Sequence, residues 1–324
     1  MKCKSLAAVA LAALSISCGK SQAGRNGADT GAEAAVQPQP VAEVSFDADS
    51  AYAYVARQVE FGPRVPGSAA HRQCGEWLAS ELRRHGAEVT VQEATLTAFD
   101  GTQLPARNII GSFNPQAAER ILLLAHWDTR PWADNDPDQA NHSKPVPGAD
   151  DGASGTGVLL EIARQLSLSG SKPGVDILFT DAEDYGTDGD DESWALGTRY
   201  FVQNRPEGVT YRGAILLDMV GGKEAQFRRE YFSQQYAPQL VDAVWAAAGM
   251  AGEGALFSNE LGGAITDDHV ELIKGGIPAI DIITFDPANG FPPYWHTVND
   301  DMSNISAKTL GSVGRVMMTY LNNI

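Results

Sequence analysis

The chain has 324 residues, 43% of them hydrophobic, which is enough to build the core of one large domain or two small ones. Its formal net charge of −17 argues against nucleic acid as a partner. The same acidity favours solubility and a mild attraction for cationic ligands, and says nothing about fold.

The amino-terminal stretch differs from the rest. Met1 to Lys4 is short and basic, and Leu6 to Ile16 is apolar but too short to span a bilayer. Small residues and Cys18 follow. This pattern predicts a secretory signal peptide over residues 1–17. The placement of Cys18 after Leu14-Ser15-Ile16-Ser17 resembles a bacterial lipoprotein processing site, although Ser15 stands where Leu is usual. The expectation is an exported protein of the periplasm or cell envelope, touching a membrane only through a lipid anchor on Cys18. A plain signal peptide cut nearby is the alternative. Residues 18–44 are rich in Gly, Ala, Gln and Pro without apolar period, which predicts a flexible tether. Cys3 would leave with the signal and Cys18 would be lipidated. Cys74 then remains alone, so no disulfide is expected in the domain. Cys74 shares a helical face with Trp77, Leu78 and Leu82 and reads as a small buried hydrophobe.

Between Ser45 and Ile324 no Pro- or Gly-rich break and no internal repeat divides the chain, so residues 45–324 are expected to form one domain. The segment 69–86 is an amphipathic helix ending at Gly86. The alternating runs AEVTVQEATL and ARNIIGSF read as strands. Four short apolar runs follow: RILLLAHWD, VDILFTDAED, GAILLDMVG and IPAIDIITFD. Each is bounded and apolar on both faces, as buried strands of a largely parallel sheet are. Helical patterns lie between and after them, in GASGTGVLLEIARQLSL, APQLVDAVWAAAGM, DDHVELIKGG and SAKTLGSVGRVMMTYLNNI. Strands alternating with helices predict an α/β domain with a central mixed, mostly parallel twisted sheet flanked by helices. Ligands bind such sheets beyond the carboxyl ends of the strands.

The residues able to do chemistry cluster at those ends. His126 and Asp128 end the first run. Asp181, Glu183 and Asp184 end the second, and Asp218 ends the third. Asp150 and Asp151 precede a helix in PGADDGASG. Asp267-Asp268-His269 and Tyr294-Trp295-His296-Thr297 come later. Carboxylates crowded into one crevice repel each other and raise one another's pKa, and a divalent cation relieves this. Imidazole and carboxylate donors together suit zinc better than calcium or magnesium. A lone Asp at a strand end is usually a cap or turn residue. A set of acids and two histidines gathered at several strand ends is harder to explain that way. The residues alone support a zinc hydrolase or transferase acting at a peptide amino terminus.

The series HxD, GADDGASG, acid-acid, LLDM, DDH and a final His resembles the zinc aminopeptidase family. In that family five such residues hold two zinc ions. The matching positions are His126, Asp151, Asp184, Asp218 and His296, with Asp151 bridging the metals and Glu183 at the general base. The stretches FGPRVPGS, ARNIIGS, HWDTRPWAD, FTDAED, SWALGTRYF, DDHVELIKGGIPAIDII and YWHTVNDDMSNIS are more similar to one branch of that fold, the glutaminyl-peptide cyclotransferases of bacteria. Trp295, directly before the metal-binding His, is the most telling residue. This resemblance implies one zinc per chain on Asp151, Asp184 and His296, with His126 and Asp218 present but unliganded. It implies Glu183 as proton shuttle in a network with Asp218 and Asp268. It makes Trp295, and less directly Trp194, substrate-binding residues. The implied substrates are peptides or proteins with amino-terminal Gln. The alternative is a dizinc aminopeptidase that releases amino-terminal residues, with His126 holding the second metal.

Overall fold

The computed structural model describes residues 45–171 and 173–324. The expected signal peptide, the Cys18 anchor and the tether all lie outside the described residues.

The chain begins with α1 (Ala48–Glu60), whose amino end is capped by the Asp47 carboxylate accepting the Asp49 and Ser50 amides. Next comes α2 (Ala69–Arg84), capped by Ser68 and followed by Gly86 at φ +81°. The strands β1 (Glu88–Thr97), β2 (Gln103–Phe113) and β3 (Glu119–His126) lead into α3 (Ala153–Ser169) and β4 (Gly174–Thr180). Then come α4 (Leu196–Gln203), β5 (Thr210–Asp218), β6 (Phe227–Arg229), α5 (Tyr231–Tyr236), α6 (Pro238–Met250) and β7 (Phe257–Leu261). The chain closes with α7 (Asp268–Lys274), β8 (Ala279–Ile283) and α8 (Ala307–Asn322).

Six strands form one sheet in the order β1-β2-β4-β3-β5-β8. The pairings β4–β3, β3–β5 and β5–β8 are parallel, while β1–β2 and β2–β4 are antiparallel. This is the expected mixed α/β sheet. The four parallel strands are the four apolar runs, and β4 and β8 are buried along their whole length. In β3, Ile121, Leu123 and Ala125 face one core and Leu122 and Leu124 the other. Helices on both faces therefore account for the unbroken apolarity. The first core holds side chains of α1, α2, α3, α6 and α8, and the second those of α4 and α7. β6 and β7 form a separate two-stranded sheet.

Because β3, β4, β5 and β8 run the same way, their carboxyl ends open on a single edge. The helix α3 lies very close to β5 there. A Cβ on Gly155 would stand 2.0 Å from the Leu217 carbonyl oxygen, so only glycine permits this approach. That contact brings the amino end of α3, with Asp150 and Asp151, onto the same edge.

Candidate active site

His126 is the last residue of β3 and Asp218 the last of β5. Glu183 and Asp184 lie three and four residues beyond Thr180, the end of β4. The backbone turns sharply at these points. Ala182, Met219 and His296 all adopt left-handed φ values of +54°, +45° and +55°. Non-glycine residues hold that conformation only where the surroundings enforce it, and such sites cluster at functional centres.

Two buried carboxylates hold the backbone beside these turns. Asp128 accepts the amides of Glu183 at 3.1 Å and Asp184 at 3.2 Å. Asp300 accepts those of Asp150 at 2.8 Å and Asp151 at 3.1 Å. Each carboxylate thus fixes the backbone of two successive acids. Asp150 does not enter the site, since its oxygens accept the Gly221 amide and the Tyr294 hydroxyl at 2.8 and 2.7 Å.

Two ligand triads result, each with donor atoms within 4.8 Å of one another: Asp151, Asp184 and His296, and His126, Asp151 and Asp218. They share Asp151. His296 Nε2 lies 3.2 Å from Asp184 Oδ1 and 3.5 Å from Asp151 Oδ2. His126 Nε2 lies 2.9 Å from Asp151 Oδ1 and 3.3 Å from Asp218 Oδ1. All five residues named as possible ligands from the sequence therefore meet. A third triad, Asp267, His269 and Asp281, is equally compact, but His269 and Asp281 do not line the cavity, and Glu230 lies 3.1 Å from His269.

The donors fit a metal. Both ring nitrogens of His126, Asp184 Oδ2 and Asp218 Oδ1 are buried without a hydrogen-bond partner. Buried polar atoms are rarely left so, and a cation held in one triad or the other would engage Asp184 Oδ2, or Asp218 Oδ1 and one His126 nitrogen. Mixed imidazole and carboxylate donors suit a transition metal such as zinc.

Charge is concentrated here. Burial disfavours a charged His126, but the carboxylates of Asp128, Asp151 and Asp218 outweigh it and hold its pKa well above the ordinary value. Burial lifts Asp218 to about 6 against the pull of the neighbouring His126 imidazole, with the Asp151 charge adding to the rise. Burial also raises Asp184, helped by Asp151. Glu183 rises well above the usual carboxylate range, through burial first and the Asp267 charge second.

A cavity of about 340 Å³ opens over these groups, lined by Asp151, Glu183, Asp184, Asp218, Asp267 and His296 on its acidic side. Trp194, Phe291 and Trp295 line the rest together with Phe285 and Ile265. Trp295 stacks on His296 at 3.7 Å between ring centres and packs on Phe291 at 4.1 Å. Trp194 lies parallel to His296 at 6.2 Å. Both tryptophans singled out from the sequence therefore border the cavity.

The acid pair at the start of α7 is divided. Asp267 caps the helix and lines the cavity, and its charge acts on Glu183. Asp268 is fully buried, accepts the Thr180 hydroxyl at 2.5 Å and does not line the cavity. Asp300, Arg130 and Asp134 also contact residues of the site. Each lies in a stretch that carries the resemblance, yet no local pattern gives any of them a role, because their partners lie far along the chain or in an irregular loop.

The model of Peptidase family M28 matches residues 108–321. The glutaminyl cyclase of Bacteroides thetaiotaomicron, solved with N-acetylhistamine, shares 50% of its sequence with this chain at a TM-score of 0.85, covering 86% of this chain and 99% of that one. The glutaminyl cyclase of Porphyromonas gingivalis is 52% identical at a TM-score of 0.85, covering 87% and 99%. A Zn-dependent exopeptidase from Parabacteroides distasonis is 53% identical at the same TM-score, covering 87% and 100%. The fold, the shared-carboxylate site and these likenesses agree: the chain belongs to peptidase family M28 and, within it, groups with the bacterial glutaminyl cyclases.

Proposed function

We propose that the protein is a zinc-dependent glutaminyl-peptide cyclotransferase, converting amino-terminal Gln of peptides or proteins to pyroglutamate with release of ammonia. The observation that carries this reading is the buried Glu183 facing the same cavity as a stacked Trp295 and the Asp151–Asp184–His296 triad. Likeness of 50% and 52% to two glutaminyl cyclases supports it.

In this reaction the substrate α-amine attacks the carbon of its own side-chain amide. A C–N bond forms to close a five-membered lactam, and the C–NH₂ bond breaks. The amine loses one proton and the leaving nitrogen gains one. Glu183, held by its backbone to Asp128, is placed to carry that proton both ways. Its raised pKa suits a group that must both accept and donate near neutral pH. The charges of Asp267, Asp184 and Asp268 act on it together, so apparent values belong to the group and not to one residue. Trp295 and Trp194 give flat walls that would hold the folded Gln side chain in the attacking geometry. A zinc ion on Asp151, Asp184 and His296 would polarise the side-chain carbonyl as a Lewis acid. No activated water is needed, so one metal would suffice.

A dizinc aminopeptidase is the second reading, favoured by the compactness of the His126–Asp151–Asp218 triad. Metal content together with product analysis separates the two. About one zinc per chain and ammonia released from Gln-peptides support the cyclase. About two zinc ions per chain and free amino acids released from peptide amino termini would overturn it.

From the sequence of residues 1–18 alone we further propose export with a lipid on Cys18. Cys18→Ala should then move the protein from the membrane fraction to the soluble fraction, and unchanged fractionation would refute the anchor.

A further inference from the structure

His296 projects into the cavity from left-handed backbone at φ +55°, so its orientation needs support from outside the triad. Its Nε2 faces Asp151 and Asp184. Its Nδ1 faces Asp134 Oδ1 at 3.8 Å, and among the described residues Asp134 is the one carboxylate within ion-pair reach of that nitrogen.

Asp134 does not float at this position. Arg130 grips both of its oxygens, with Nε at 2.7 Å from Oδ1 and Nη2 at 2.5 Å from Oδ2. A two-pronged guanidinium–carboxylate pair fixes direction as well as charge. The remaining arm of Arg130, Nη1, donates to the backbone oxygens of Asp184 and Gly186, each at 3.2 Å, and lies 3.5 Å from Asp184 Oδ1. The guanidinium is only 2% exposed. It sits between the rings of Trp132 and Trp194, at 5.2 and 5.1 Å. The loop that carries it is tied to the His296 segment twice more. The Asn135 amide donates to the His296 carbonyl at 3.2 Å, and the Val298 amide donates to Asp136 Oδ2 at 3.1 Å.

We propose that Asp134 is the positioning carboxylate for His296 and that Arg130 is the clamp that holds Asp134 and Asp184 in register. One buried guanidinium then orients two of the three groups that would hold the metal. A carboxylate behind a ligating imidazole fixes its tautomer and raises its basicity, and loss of such a partner typically lowers metal affinity 10- to 100-fold. The loop 130–148 is accordingly part of the site's scaffold. This inference rests on the metal reading above, and the test separates the two.

The test measures zinc affinity by competition with a chromophoric chelator, and the visible spectrum of the cobalt-substituted protein, for the wild type, Asp134→Ala, Asp134→Asn and Arg130→Lys. The wild type should bind zinc tightly. Asp134→Ala should bind it about 10- to 100-fold more weakly, with a shifted cobalt spectrum and a metal-free Tm close to that of the wild type. Asp134→Asn, which keeps an acceptor oxygen, should recover part of the loss. Arg130→Lys keeps the charge but not the fork, and should also weaken zinc and shift the spectrum. Unchanged affinity and spectrum in both Asp134 variants would overturn the inference while leaving the metal reading intact. A wild type that binds no zinc would overturn the metal reading itself, and this inference with it. Should Asp134→Ala not fold, the isosteric Asp134→Asn carries the same comparison.

Discussion

Asp151 Oδ1 lies 2.9 Å from His126 Nε2. Its other oxygen lies 3.5 Å from His296 Nε2, so one carboxylate serves both histidines. The first prediction follows from that sharing. If a single zinc sits on Asp151, Asp184 and His296, the two histidines are not equivalent. His296→Ala should lose zinc and activity together, because three buried arms cannot hold the ion as two. His126→Ala should keep close to one zinc per chain. Metal analysis after exhaustive dialysis decides it. Zinc retained in the His296 variant, or lost from the His126 variant, would refute the ligand assignment.

Glu183 owes its position to the backbone and not to its own side chain. Its amide is held by Asp128 at 3.1 Å, so Glu183→Gln should leave the loop where it is. The variant should keep its zinc and its Tm, while kcat for Gln-peptides falls by roughly 10²- to 10⁴-fold, as for loss of a general acid–base. Full activity in Glu183→Gln would remove the residue from the reaction. Loss of zinc from it would make it a ligand.

The contrast between Asp267 and Asp268 shows where sequence reading stops. The parallel strands were legible because burial on both faces leaves an unbroken apolar run, as in β4 and β8. The metal-type residues were legible because they follow those runs directly. Which of two adjacent acids enters the cavity depends on backbone direction at a helix start. Asp267 is extended, at φ −158° and ψ 178°, and caps α7, while Asp268 begins the helix and turns away to Thr180. No periodicity records that difference. The helix α1 went unread because it buries little beyond Ala51, Val55 and Gln58, too few large apolar groups to mark a face. β6 and β7 are three and five residues long and largely unburied, so they carry no alternation. The roles of Asp128 and Asp300 are fixed by amides 55 to 150 residues away.

Asp150 gives a pH prediction whose sign is fixed by burial. Burial pushes its carboxyl up to about 6 from the ordinary value of 3.8, against hydrogen bonds from Tyr294 and Gly221. The folded state therefore holds this proton more tightly than the unfolded chain does. Rising pH favours the state that binds fewer protons, so stability is lost as pH climbs from about 4 to about 6 and stays lower above that. One pKa unit corresponds to about 1.4 kcal/mol, so the change is roughly 3 kcal/mol. Asp150→Asn can still accept from Gly221 and can donate to the Tyr294 oxygen. In metal-free protein, urea midpoints of the wild type should fall relative to Asp150→Asn between pH 4 and pH 7. Parallel curves would show that Asp150 does not titrate in this range.

Trp295 touches both sides of the question of what the cavity binds. Its ring stacks on His296 at 3.7 Å and packs against Phe291 at 4.1 Å, yet it supplies no donor to either triad. If its work is to present a flat wall to the substrate, Trp295→Ala should raise KM for Gln-peptides and lower kcat/KM, since about 1 kcal/mol of aromatic contact is removed along with the buried area. The zinc content should stay as in the wild type, because Asp134, Asp151 and Asp184 still surround the imidazole. The two readouts move apart only under this reading. A variant that loses zinc along with turnover would show that Trp295 supports His296, and a variant with unchanged KM would remove it from the substrate wall.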